Sequence, residues 1–153
     1  APKGLQLFEW NLEEGTITNT KTGRRMVFFA PTVIEAVFNE LENELGETIP
    51  QVVIEAQRRL TLSGMYPFNE ATNGAMLRKQ LALRGLGNMS EFSLDKEKLV
   101  LRIDNPAIHL LMVGLAQGIF EIANGTESKV DWQVSDQGDL RVEVKAFNAP
   151  NGV

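Results

Sequence analysis

Cysteine is absent from the 153-residue chain, so disulfides, thiolate-held metals, cysteine nucleophiles and sulfur-ligated clusters are excluded together. Histidine is nearly absent as well. The single one, His109, rules out a two-histidine metal site and leaves any serine nucleophile one imidazole as its base. No glycine-rich loop ends in Gly-Lys-Ser/Thr, and Gly85-Leu-Gly87 lacks a third glycine and a preceding strand, so nucleotide hydrolysis is unsupported. An excess of positive charge is missing too. Fifteen Lys and Arg stand against 20 Asp and Glu, a formal net charge of −5, which works against attraction to nucleic acid or anionic lipid. No uninterrupted apolar run reaches the length of about 20 residues that a membrane span needs. Ala1-Pro2-Lys3-Gly4 leads into no signal-peptide core, so the expectation is a cytoplasmic protein without membrane insertion.

What is present is the composition of an ordinary globular protein, with 43% hydrophobic and 23% charged residues. A chain of this length buries roughly 70% of its unfolded surface as one domain. No repeat, low-complexity tract or linker divides it. The expectation is a single domain over 1–153, with a core from about residue 5 to 147 and a loose tail at 148–153.

The clearest pattern lies in the second half. Val130, Trp132 and Val134 alternate with Asp131 and Gln133, and beyond a turn at Asp136-Gln137-Gly138 the alternation resumes with Leu140, Val142, Val144 and Ala146. Phe92 and Leu94, a polar turn at Asp95-Lys96-Glu97, then Leu99, Leu101 and Ile103 repeat the arrangement. Two hairpins give four antiparallel strands. Between them Asn105-Pro106 predicts an N-cap and first helical residue for the apolar run Ala107 to Ala123, closed by Asn124-Gly125. That helix is apolar nearly all round, interrupted by His109, Gln117 and Glu121, and belongs in the interior or at an interface. Gly114 and Gly118 share a face, which predicts close packing against the sheet.

The first half reads as helical with a small β element before it. Thr32 is expected to cap a helix whose Ile34, Val37, Phe38, Leu41 and Leu45 share a face until Gly46. From Thr48 a second helix sets Ile49, Val52, Val53, Ala56 and Leu60 against Gln51, Glu55, Arg58 and Arg59 on the other side. A third spans about Ala75 to Arg84. Phe8, Trp10 and Leu12, Gly15-Thr16-Ile17 and Met26 to Phe29 suggest short extended segments around a Thr22-Gly23 turn.

Several features carry no chemistry on this reading. Glu13-Glu14 and Glu40 with Glu44 are solvated carboxylates, Asn88-Met-Ser90 and Asn124-Gly-Thr126 are chance glycosylation tripeptides, and Lys21, Arg24-Arg25 and Arg58-Arg59 are solubilising charges. His109 is the candidate for contact with a bound polar group, because it opens the most apolar helix. Trp132 either fills the core or walls a cavity. Met65, Tyr66, Phe68 and Met76 form an adaptable cluster able to line a pocket or fill gaps.

The order of elements, Gly23-Arg24-Arg25-Met26-Val27 before a helix, the second helix ending near Arg58-Arg59, Asn105-Pro106 opening an apolar helix with Gly114-Leu-Ala-Gln-Gly118, and Gly138-Asp139-Leu140-Arg141-Val142 together resemble the 4-vinyl reductase domain family. Relatives of that family include the sensor domains of phenol-responsive transcription activators and the TRAPP vesicle-tethering subunits. The resemblance runs from about Gly15 to Ala146. It implies an α+β fold, a four-stranded antiparallel sheet packed against helices with the small N-terminal β element, commonly dimeric, around a site for a small hydrophobic molecule. The zinc-binding cysteines of the phenol sensors have no counterpart here, so neither a metal nor a cofactor is expected. The leading expectation is a non-enzymatic domain binding a small hydrophobic or aromatic molecule, as a homodimer, through His109, Trp132, Tyr66, Phe92 and Met112. The alternatives are a tetrapyrrole vinyl reductase or its accessory subunit, and a protein-interaction scaffold like the tethering subunits.

Overall fold

A computed structural model describes residues 6–66 and 72–147 of the chain. The leading Ala1 to Gly4, Phe68 and the expected tail at 148–153 lie outside the described residues. Two compact units are present, Ala1–Val33 and Ile34–Val153.

The first unit is a small antiparallel sheet in the order β1 (Phe8–Asn11), β2 (Thr16–Asn19), β3 (Arg25–Met26). Its turn is built on Asn19, which is buried and whose side-chain oxygen accepts from the amides of Lys21 and Thr22 at 2.9 and 3.2 Å. Gly23 follows at φ 71°, a backbone region that favours glycine. The strand expected through Phe29 ends at Met26. Thr18 pairs with Arg25 and Ile17 with Met26, so the register leaves β2 no residue beyond Thr16 for the chain past Val27.

The second unit is built on the two expected hairpins, β4 (Asn88–Leu94) with β5 (Lys98–Asp104) and β6 (Ser128–Val134) with β7 (Leu140–Ala146). They join through β5 and β7 into one antiparallel sheet in the order β4-β5-β7-β6. Alternation decides which face is dry. Leu99, Leu101, Ile103, Leu140, Val142 and Val144 are all 0–3% exposed on the inner face. Arg102, Arg141 and Lys145 point the other way, into water.

Among the described residues the fold is completed by the helices α1 (Pro31–Leu45), α2 (Ile49–Leu60), α3 (Gly74–Leu83) and α4 (His109–Asn124), with a π-helical turn over Thr61–Met65 after α2. The apolar helix α4 crosses the inner face over β5, β7 and β6, while α3 packs on β4. Ten α4 residues from Leu110 to Glu121 are buried. Its end is as expected: Gly125 adopts φ 63° and donates back to the Glu121 carbonyl at 2.8 Å.

Its start is corrected. Asn105 is not the cap and Pro106 is not the first helical residue; the helix opens at His109 after Ile108. Asn105 takes φ 54° and its amide donates to Asp139 at 3.4 Å, while the Ala107 amide donates to the Leu86 carbonyl at 3.1 Å. Tying 105–107 to the hairpin and to the α3–β4 loop takes those residues out of helical geometry. Thr32 likewise is no cap, since Pro31 already occupies the first helical position of α1, where proline's missing N–H costs nothing.

Gly114 and Gly118 admit a helix rather than the sheet. A Cβ on Gly114 would meet the Ile54 carbonyl and stand 2.7 Å from Gln57 Cβ, and one on Gly118 would stand 2.6 Å from Thr61 Cβ. The two glycines thus let α2 lie directly on α4. The surface that does so is Ile54, Gln57 and Arg58 of α2 with Thr61 of the turn after it, so the predicted division of α2 is reversed in part. Val52 and Leu60 are 58% and 43% exposed, whereas Arg58, expected in water, is largely covered. On α1 no side chain is buried, and Val37, Leu41 and Leu45 of its expected core face are exposed.

Gly118→Ala gains helix propensity of about 1 kcal/mol but forces two backbones apart. The expected net result is a loss of about 1–3 kcal/mol in a urea unfolding titration. A variant as stable as the parent would show that α2 and α4 are not in this contact.

Candidate functional site

The five residues picked out by sequence do not meet in one place. Phe92, Leu101, Val142 and Trp132 form one transverse row on the inner face, because Phe92 pairs with Leu101, Leu101 with Val142, and Val142 with Trp132. Phe92 and Trp132 are therefore the ends of the row, three strand spacings or about 14 Å apart. Leu101 and Val142 between them are 3% and 0% exposed. Phe92 lies against Gly74 at the start of α3, where an added Cβ would be 2.7 Å from its ring. Met112 is a core residue, 5% exposed, and Tyr66 packs partly buried against the same core.

His109 and Trp132 do come together. Their ring centroids are 5.4 Å apart with planes inclined by 52°. Each owes its position to a chain end or edge: His109 is the first residue of α4, and Trp132 sits on the edge strand β6, where no further strand covers it. Both are half-buried. Burial pushes the His109 pKa below the ordinary value of 6.5, and the carboxylate of Glu35 on α1 works in the opposite direction. The partial positive charge of the α4 N-terminus also disfavours an imidazolium there. A neutral imidazole retains one donor and one acceptor, so His109 can either give a hydrogen bond to a polar guest or receive one from it.

On the inner face the buried side chains of β5, β7 and α4 pack into one core. Two open hollows, of about 320 and 280 Å³, lie on the outer face of the sheet. Asp131, Trp132, Gln133, Arg141 and Glu143 line the first, and Arg102, Val134, Asp139, Leu140 and Arg141 contribute to the second; neither has His109 in its wall. Their charged side chains include two ion pairs, Arg141 with Glu143 at 3.3 Å and Arg102 with Asp139 at 3.3 Å. Both are open to water and lined in part by ion pairs, which disfavours an apolar guest. Among the described residues no group of three or more His, Asp or Glu is placed to hold a metal ion.

A polar cluster that sequence reasoning missed lies where α2 meets α4. Glu121, 7% exposed, accepts from Arg58 Nε at 2.9 Å and Nη2 at 2.8 Å, and from the Ser128 hydroxyl at 2.7 Å. Arg58 Nη1 donates to Glu55 at 2.9 Å. The hydrogen bonds that Arg58 donates to Glu121, and the charge of that carboxylate, hold the guanidinium pKa above its usual value, against the cost of burial. The signal was a lone carboxylate in an otherwise apolar helix, which requires a partner, and a basic pair at the end of α2 able to supply one. With every carboxylate oxygen occupied, this cluster is a clamp between α2, α4 and β6 rather than a reactive site.

No family model matches the chain, and no curated protein sequence matches it. Solved structures do. The phenol-responsive sensory domain of the transcription activator PoxR, determined with phenol, is similar at 12% identity over 96% of this chain and 88% of that one, with a TM-score of 0.68. A trafficking protein particle complex subunit 3 from Naegleria fowleri, covalently bound to palmitic acid, is similar at 7% identity over 77% of this chain and 93% of that one, with a TM-score of 0.50. A vinyl-4-reductase family protein from Methanocaldococcus jannaschii shares 16% identity over 76% of this chain and 78% of that one, at a TM-score of 0.49 that adds nothing to the argument. At these identities the likeness is one of fold. The resemblance read from the sequence holds at that level, and the α+β architecture with its small N-terminal sheet is as expected.

Two outcomes test the geometry. Because the unfolded chain takes up a proton on its histidine near pH 6.5 while folded His109 resists it, stability falls as pH drops from 6.5 toward the lower folded pKa. His109→Phe removes that part of the slope in urea titrations across this range, and an unchanged slope would contradict the burial. Glu121→Ala leaves a largely covered guanidinium unpaired and is expected to cost about 3 kcal/mol, most of which Arg58→Met with Glu121→Leu recovers. Equal stability of Glu121→Ala and the parent would show that the clamp does not hold.

Proposed function

We propose that this chain is a sensor-type domain that binds a small hydrophobic or aromatic molecule, acting as a homodimer and without chemistry of its own. The observation that carries this reading is the half-buried His109–Trp132 pair at the edge of the core, in a fold similar to that of a phenol-responsive sensory domain. A hydroxylated ring fits the pair's chemistry: the indole face offers apolar contact, and the neutral imidazole accepts the hydroxyl proton in a hydrogen bond. The wall on the other side is α1, whose Phe38 reaches the core and whose Glu35 faces His109. Since α1 buries no side chain of its own, displacing it to admit a guest breaks little packing. Tyr66, Phe92 and Met112 then act at a distance, as core packing around the guest site rather than as its walls.

Affinity follows from size. A ligand of seven non-hydrogen atoms contributing about 0.6–0.9 kcal/mol each reaches a Kd of about 1 mM to 25 µM. The chain has two tryptophans, so Trp10→Phe leaves Trp132 as the only indole reporter. Titrating that variant with phenol is expected to change its emission saturably in this range. His109→Phe in the same background weakens phenol binding about three- to tenfold, the worth of one hydrogen bond, and leaves binding of toluene unchanged. A Trp132 signal that does not saturate, or equal loss for both ligands, would overturn the reading.

A further inference from the structure

α1 meets the core through one narrow face. Ile34, Glu35, Phe38 and Glu42 are its half-buried residues, spaced by one, three and four positions along one side of the helix. Glu35 is the carboxylate whose charge acts on His109, and Phe38 is the side chain of this face that packs against the buried core. Three residues separate the two, about 5 Å along the same face.

The His109 ring is incompletely used. It lies 5.4 Å from the Trp132 ring, and among the described residues it has no hydrogen-bond partner. Neither hollow of the sheet reaches it. The α1 side chain that projects to the core beside this pair is a benzene ring, of the same size and chemistry as an aromatic guest. A benzene ring gives apolar contact but has nothing to offer the donor and acceptor of the imidazole. A phenol supplies the same ring with a hydroxyl added. Exchanging one ring for the other leaves the buried apolar area nearly unchanged, so the new hydrogen bond sets the direction.

We infer that Phe38 occupies the guest site of the ligand-free chain and that a hydroxylated arene binds by displacing its ring, which makes α1 an autoinhibitory plug. This rests on the reading of His109 and Trp132 as the guest site and adds how that site is regulated. Once Phe38 is displaced, α1 has no buried side chain to hold it and loosens from the core. Occupancy of the site is thereby converted into a change in a whole helix. A plug in place in about nine chains of ten lowers the apparent affinity about tenfold.

The sign of one substitution separates a plug from a wall. In the Trp10→Phe background, Phe38→Ala is expected to tighten phenol binding about tenfold, whereas truncating a wall would weaken it. Removing a ring can by itself leave a cavity that takes an arene, so His109→Phe is added to Phe38→Ala and is expected to cost the same three- to tenfold as in the parent. Hydrogen exchange of the unmodified chain needs no variant: saturating phenol is expected to speed exchange of the α1 amides at least threefold while slowing that of α4. Binding by Phe38→Ala alone is the same result with a tighter plug. Saturable binding by the parent with equal or weaker binding by Phe38→Ala would overturn the plug and leave the guest-site reading standing, as would binding by Phe38→Ala that ignores His109, or protection of α1 by phenol. No saturable binding by either protein would overturn the guest-site reading and the plug with it.

Discussion

The close approach of α2 to α4 is the constraint on which the rest depends. Gly114 and Gly118 remove the only atoms that would hold the helices apart, and Ile54, Gln57 and Thr61 fill the space so gained. With α2 lying this close, Arg58 reaches Glu121, and the carboxylate that interrupts the apolar helix is neutralised where it is buried. Ser128 extends the clamp to β6, so one polar cluster ties helix to helix and helix to sheet. The energetic value of such a pair is small compared with a hydrophobic replacement, but its directionality fixes which face of each helix is inside. That explains why α4 has one orientation although it is apolar on nearly all sides.

Fixing α4 fixes the candidate site. His109 is the first residue of the helix and inherits its position from the whole packing of α4, and Trp132 inherits its position from the register of β6 on β7. Neither residue is held by a network of its own. A site made this way is placed by rigid elements on two sides, and the third side proposed for it is α1, a helix with no buried side chain. Rigid walls with one yielding side suit a domain that must admit a guest and report its arrival.

Much of the fold was legible in the sequence, and the reason is periodicity. Alternation in Leu99, Leu101, Ile103 and in Leu140, Val142, Val144 is a two-residue period that only a half-buried strand uses, and all six side chains are buried as read. The unbroken apolar run of α4 was equally plain. What periodicity could not give was the partner of each face. The apolar stripes of α1 and α2 read as core, yet Val37, Leu41, Val52 and Leu60 are exposed, because an amphipathic pattern says that a face wants cover without saying where the cover comes from. Arg58 was read as solvated since its partner is 63 residues away in sequence. The site was half legible for the same reason: His109 and Trp132 meet, whereas Phe92 shares the row and face of Trp132 but sits at the opposite edge, a fact set by strand order rather than by any local pattern.

The central claim is that guests bind at the α4–β6 edge beside His109. Nuclear magnetic resonance with 15N-labelled chain and saturating phenol tests it most directly. The account predicts shifts that saturate with ligand at the Trp132 indole N–H, the His109 ring and the adjoining amides of α1, with the amides around Phe92 and Gly74 unmoved. Saturable shifts centred on Phe92, or none anywhere, would contradict it.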